Sequence, residues 1–363
     1  MSLPEGVNPP GSGRRNPVYL WAAAALVAVA VAAVVVAART QPSAVAGDPN
    51  RLPVGPPAPE LHARGWINSA PLTARELAGK VVVYDFWTYS CVNCVRTLPY
   101  LRSWYDRYAR DGLVVIGVHS PEFAFEKDHG NVEAAVRRLQ VTWPVALDDE
   151  KQIWDDFGNR YWPAKFVTDR QGRLRYFHPG EGAYGETEDV LRALLGVAGE
   201  APRAVAPGRV KPPAADREVT PETYLGTLRG DVAVEGRHDY PEGAAPAPDQ
   251  VRLVGAWDAD GERVRSAAPG AAVVLAYQAR EVNLVMATAA GRPIDVVLEL
   301  DGAPLPPQFR TAQTQVDGAG RTFVRVSASD LYRLALGPGW GHHTLRLIAP
   351  AAGLDAFAFT FGA

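Results

Sequence analysis

The two cysteines of this 363-residue chain both fall in one tetrapeptide, Cys91-Val92-Asn93-Cys94. A chain with no other thiol cannot be held by a disulfide framework, so its fold must rest on burial of apolar side chains. The pair follows a continuous apolar run, Val81-Val82-Val83-Tyr84-Asp85-Phe86-Trp87, and opens a segment with helical periodicity. Two thiols one helical turn apart, in a chain that excludes thiols elsewhere, read as a dithiol/disulfide redox centre. The competing readings are a structural cysteine pair or half of a metal site. Zinc asks for four ligands, and His119, His129, His178 and His342-His343 are too scattered to supply the other two.

The length suggests two or more domains. With 47% hydrophobic and 21% charged residues the composition is that of a globular protein, and a net charge of −3 points to no nucleic-acid partner. Residues 1–17 are Pro/Gly-rich and include Arg14-Arg15; residues 18–38 form an uncharged apolar stretch. About 20 such residues span ~30 Å of hydrocarbon as a helix, and secretory apolar cores are shorter, about 7–15 residues. A single N-terminal transmembrane helix is therefore expected, with Ala44-Val45-Ala46 as an alternative cleavage site. Arg14-Arg15 orients it with a cytoplasmic tail, leaving the rest extracytoplasmic at a bacterial cell membrane. Residues 39–59 read as a Pro/Ala tether.

Residues 60–200 alternate strand and helix. Val81–Trp87 and Leu113–Val118 are expected to be strands covered on both faces. Between them Ser90 is the expected N-cap, and Cys94, Leu98, Leu101, Tyr105 and Tyr108 share one helical face that Asp111-Gly112 terminates. A helix over Asn131–Gln140, a strand over Pro144–Leu147, a helix over Lys151–Phe157, a hairpin of Lys165–Thr168 with Arg173–Phe177, and a closing helix over Thr187–Leu195 complete a mixed central sheet flanked by helices. Residues 201–218 form a second linker. Residues 219–363 change character: Val251–Trp257, Ala272–Ala279, Val282–Thr288, Pro293–Leu300, Thr322–Ser327, His343–Ile348 and Ala356–Phe361 read as strands of an all-β sandwich or jelly roll.

Phe86-Trp87-Thr88-Tyr89-Ser90-Cys91-Val92-Asn93-Cys94, with Pro99 five residues on, resembles the thioredoxin fold, and most closely the extracytoplasmic thioredoxin-like domain of DipZ-type proteins, relatives of the TlpA/ResA thiol–disulfide reductases. Tyr161-Trp162-Pro163-Ala164 matches the position of that family's cis-proline, and Thr220–Gly226 with Ala356–Gly362 resembles its C-terminal carbohydrate-module-like domain. The resemblance implies disulfide exchange without a cofactor, exported cysteine proteins (apocytochromes among them) as substrates, and electrons from a separate CcdA/DsbD-like membrane protein. It also places Asp85 where thioredoxins keep a buried acid, although TlpA/ResA proteins usually differ there, and implies a cis Trp162–Pro163 bond beside the disulfide.

The residues support the same roles. Cys91 at a helix N-terminus meets unpaired amides and the positive end of the dipole, which favour a thiolate, so it is the expected attacking sulfur. Cys94, one turn on and facing inward, would resolve the mixed disulfide. Desolvation should raise the pKa of Asp85, letting it exchange a proton with Cys94. Trp87, Tyr89 and Trp162 are candidate walls of the substrate site, and Pro99 should re-aim the helix. The absence of histidine between the cysteines inclines the reading to reduction. Two other functions are open: a peroxidase, since Thr88 and Cys91 have Thr-x-x-Cys spacing although Tyr84 stands where that motif wants proline; and a binding protein with a vestigial redox domain, whose Tyr224, Trp257, Tyr277, Tyr332 and Trp340 would stack on a glycan or envelope ligand.

Overall fold

The computed structural model describes residues 49–197 and 218–362. The expected cytoplasmic tail, the 18–38 span, residues 39–48 of the tether and 201–217 of the second linker lie outside them. Among the described residues no helix is long and apolar enough to cross a membrane.

The first domain is built on strands β1 (Gly65–Ile67), β2 (Val81–Trp87), β3 (Leu113–His119), β4 (Val145–Leu147), β5 (Ala164–Thr168) and β6 (Leu174–Pro179), with helices α1 (Ala74–Leu77), α2 (Val92–Tyr108), α3 (His129–Arg138), α4 (Gln152–Asp156) and α5 (Tyr184–Leu195). The sheet order is β1-β4-β3-β2-β5-β6. β2, β3 and β4 run parallel, and the other pairings are antiparallel. Every residue of β2 is buried, because helices cover the sheet on both sides. Val81, Val83 and Trp87 pack with Leu98 and Leu101 of α2 and with Val190 and Leu191 of α5. Val82, Tyr84 and Phe86 join Ile153, Phe157 and Phe166 on the opposite face. The two-residue period of a strand puts Asp85 on the α2 side.

β1 and α1 escaped the sequence reading because three and four residues carry no periodicity. The first tether also ends earlier than expected. From Pro49 the chain is docked along β6 and the turn before it: the Gly55 N–H donates to the Leu174 carbonyl, the Leu174 N–H to that of Pro56, and the Ala58 N–H to that of Gly172. The Arg175 guanidinium meanwhile donates to the carbonyls of Pro49, Leu52 and Pro53.

The second domain contains β7 (Thr223–Tyr224), β8 (Gly236–Tyr240), β9 (Gln250–Ala259), β10 (Val264–Ser266), β11 (Ala271–Thr288), β12 (Ile294–Leu300), β13 (Ala303–Pro304), β14 (Thr314–Val316), β15 (Thr322–Val326), β16 (Asp330–Ala349) and β17 (Leu354–Gly362) in one hydrogen-bonded system. Arg280-Glu281 falls between the two expected strands Ala272–Ala279 and Val282–Thr288. It is instead an irregularity within β11, as β-bulges are. Likewise Leu336–Gly341, rich in Gly and Pro, lies inside the 20-residue β16. The first half of β11 pairs with β9 and the second with β17, while β16 follows it along both halves. The sheet thus folds on itself, and Leu275 from one half and Leu284 from the other share a core with Trp257, Leu298, Leu345 and Phe359.

The domains meet through an apolar plug and a set of ion pairs. Phe123 and Phe125 from the segment after β3 pack on Phe357, with ring centroids 5.1 and 4.9 Å away. Arg96 of α2 pairs with Glu281 at 3.0 Å, Arg138 with Asp330 at 2.6 Å, and Arg229 with Glu122 at 2.8 Å.

Candidate active site

Helix α2 begins immediately after the first cysteine. Cys91 is its N-cap in extended backbone, and its sulfur accepts the Cys94 N–H at 3.3 Å. Ser90 does not cap the helix as expected, because its hydroxyl donates to Glu126 at 2.6 Å instead. The helix runs through Pro99 to Tyr108. Cys91 is partly exposed, whereas Cys94 is fully buried, and neither is in a disulfide. The apolar face that carries Leu98 and Leu101 into the core draws Cys94 in with it.

Burial pushes the Cys94 thiol well above its ordinary value, and the adjacent Cys91 sulfur and the Asp85 charge add to the effect. Beneath it, Asp85 is 1% exposed and neither carboxyl oxygen has a hydrogen-bond partner. Desolvation raises its pKa to about 7, against the lowering influence of Lys165. Lys165 is the residue that sequence reading missed. It lies opposite Asp85 in the β2–β5 register, is fully buried, and its ammonium donates to the Gly180 carbonyl at 3.3 Å. Burial lowers its pKa, while Asp85 and Cys94 pull it back. A lysine in an alternating strand looks like an exposed residue. Only the antiparallel register reveals that it faces a buried acid.

The loop entering the dithiol is fixed by a second missed residue, Glu126. Its buried carboxylate accepts from the Thr88 and Ser90 hydroxyls and from the backbone N–H groups of Glu122 and Phe123, the last two at 2.6 and 3.1 Å. Burial raises its pKa and the hydroxyl bonds oppose that. Four donors on one carboxylate lock residues 88–90, and with them the position of Cys91.

The other expected site residues are placed unevenly. The Trp162–Pro163 peptide bond is cis. Trp162 is half-buried, its indole donating to the Ser120 carbonyl at 3.0 Å and packing on Trp154 at 4.2 Å. Trp154 is held in turn by Asp148, which accepts from the Ile153 and Trp154 amides at the start of α4. Trp87, expected as a wall of the substrate site, is instead fully buried in the core against His119. Tyr89 is 2% exposed and stacks on His119, which burial holds as neutral imidazole with a pKa of about 3. In the second domain Trp257, Tyr277 and Tyr332 belong to the core, and Tyr224 spends its hydroxyl on Glu122 and Glu222, so the expected row of sugar-stacking rings is not assembled. Among the described residues no three His, Cys, Asp or Glu side chains are grouped to hold a metal.

Comparison with known proteins agrees with this geometry. Residues 54–177 match the AhpC/TSA family and residues 220–362 the family described as thioredoxin like C-terminal domain. The chain is 31% identical over 140 residues to the thiol-disulfide oxidoreductase YkuV of Bacillus subtilis, covering 38% of this chain and 94% of that protein. It therefore belongs to the thioredoxin-like thiol–disulfide oxidoreductases. Protein DipZ of Mycobacterium tuberculosis is 37% identical over 321 residues, 84% of this chain, which spans 43% of DipZ. The solution structure of a thioredoxin-like protein in the oxidized form is 31% identical, with a TM-score of 0.36 over 39% of this chain and 95% of that one.

Proposed function

We propose that the chain reduces disulfides in exported proteins, anchored to the cell membrane by residues 18–38 and recharged by a membrane electron-transfer protein. The observation that carries this reading is the asymmetry of the pair: a partly exposed Cys91 at a helix tip and a buried Cys94 above an unpartnered Asp85. In the first step the Cys91 thiolate attacks one sulfur of the client disulfide, forming a mixed disulfide and releasing the other client sulfur as thiolate. Cys94 then gives its proton to Asp85 and attacks the Cys91 sulfur, releasing the second client thiolate and closing the Cys91–Cys94 disulfide. The client gains two electrons and the chain loses two, so each turnover needs an external dithiol. Lys165 offsets the charge of Asp85 between turnovers, and the carbonyl and amide flanking the cis bond give an extended client strand-like partners.

A peroxidase is disfavoured because the Thr88 hydroxyl of the Thr-x-x-Cys spacing is committed to Glu126. The test is a trap. With Cys94→Ser, exported proteins should accumulate as covalent adducts on Cys91 that dithiothreitol releases. No adducts, together with no reduction of a model protein disulfide by the unmodified chain, would sink the proposal. A glutathione titration should give a potential near about −270 mV for a reductant; one near about −120 mV would reverse the direction.

A further inference from the structure

The domain interface next to the dithiol holds a cavity of about 230 Å³. One wall is the start of the redox helix, with Tyr89, Val92, Val95 and Arg96; the other comes from the second domain, including Asn283 and Gln313. The charges around it are already matched, three arginines to three acids: Arg96 pairs with Glu281 and Glu181 at 3.0 and 3.7 Å, Arg333 with Glu281 at 2.9 Å, and Arg138 with Asp330. Nothing there selects a phosphate or a free carboxylate. Two lining residues carry buried polar atoms without a hydrogen-bond partner, the Tyr89 hydroxyl and the Asn283 amide oxygen, in side chains 2% and 1% exposed. One is a donor and the other an acceptor, and leaving either unpaired in the interior is costly.

A donor and an acceptor on residues lining one charge-neutral slot match one peptide unit, which offers a C=O and an N–H. The volume is below the ~300–1,000 Å³ of small-molecule pockets and suits a short length of extended chain. A sugar is a poorer match, because the cavity's aromatic ring, Tyr89, is already stacked on His119. We infer that the second domain completes the substrate site: a client polypeptide bound at Cys91 runs into this interdomain slot, where Tyr89 donates to, and Asn283 accepts from, its backbone near the reacting cysteine. The inference rests on the disulfide-exchange reading above.

The full chain carrying Cys94→Ser is loaded by exchange with disulfide-bridged peptides bearing a benzophenone residue two to four positions from the cysteine, so that Cys91 joins one half and the other half leaves as a thiol; the adduct is irradiated and mapped by mass spectrometry. Cross-links to residues 311–313 or Leu331 of the second domain are expected. If the mixed disulfide forms but cross-links stay within residues 49–197, the slot is not used and the inference falls alone. If no mixed disulfide forms, the exchange reading falls with it. In the unmodified background, Asn283→Ala should raise KM for a disulfide-bridged peptide about tenfold, and an unchanged KM counts against the inference. Retention of the chain on immobilised oligosaccharides that Asn283→Ala abolishes would overturn the peptide assignment.

Discussion

At the scale of single residues, the chemistry depends on a carboxyl that is in the wrong solvent. Folding takes Asp85 out of water without giving its oxygens a partner, and its pKa rises from 3.8 to about 7. The folded chain therefore binds a proton at Asp85 that the unfolded chain has already lost. The stabilisation from this proton is complete below pH ~3.8 and disappears as the pH rises through about 7. Asp85→Asn should flatten that dependence and leave the protein more stable than wild type at pH 8 by about 2–4 kcal/mol. Urea titrations at pH 5 and pH 8 check it. The same substitution removes the proton acceptor for Cys94, so resolution of the mixed disulfide by Cys94 should slow by about 10²-fold in a single-turnover gel assay. Lys165→Met removes the charge that holds Asp85 down, so the midpoint of the pH profile for that resolution should move above about 7. An unmoved midpoint would mean that Lys165 only fills space.

At the scale of elements, the start of α2 is aimed by what lies beside it in space. Glu126, some 35 residues further along the chain, pins Thr88 and Ser90. Glu126→Ala would strand four donors and should cost about 2–4 kcal/mol, seen in thermal unfolding, together with slower attack by Cys91 on a model disulfide. Strand β3 shows the same dependence on close approach: a Cβ on Gly117 would come within 2.8 Å of the Trp87 indole nitrogen and 3.3 Å of that of Trp143. Gly117→Ala should destabilise by about 1–3 kcal/mol through overpacking, and a neutral result in the same assay would show that the two tryptophans can move aside.

At the scale of the molecule, the two domains share a boundary that is apolar at Phe123, Phe125 and Phe357 and ionic at Arg96–Glu281. The catalytic helix is thus gripped from both sides. Phe357→Ala removes the centre of the plug, and scanning calorimetry should then resolve two unfolding transitions where the unmodified chain has one. A single transition in both would show that the ion pairs suffice.

Much of this was legible from the residues in order. The cysteine spacing announced the chemistry, and the unbroken run Val81–Trp87 and the helical face through Leu98 and Leu101 announced the elements on either side, because burial imposes period 2 on strands and 3.6 on helices wherever an element is long enough. Periodicity is a property of neighbours along the chain, so it could not report pairs made across it. The opposition of Lys165 to Asp85 depends on antiparallel register, the grip of Glu126 on Thr88 and Ser90 on a loop folding back, and the packing of Trp87 against His119 on the pairing of β2 with β3. The continuity of β11 through Arg280-Glu281, where two strands were expected, likewise rests on an irregularity of register with β16. Sequence determined which sulfur pair reacts and the class of fold that carries it. Tertiary structure decided the protonation partners and the surroundings of that pair, since desolvation and hydrogen bonding depend on distance in space.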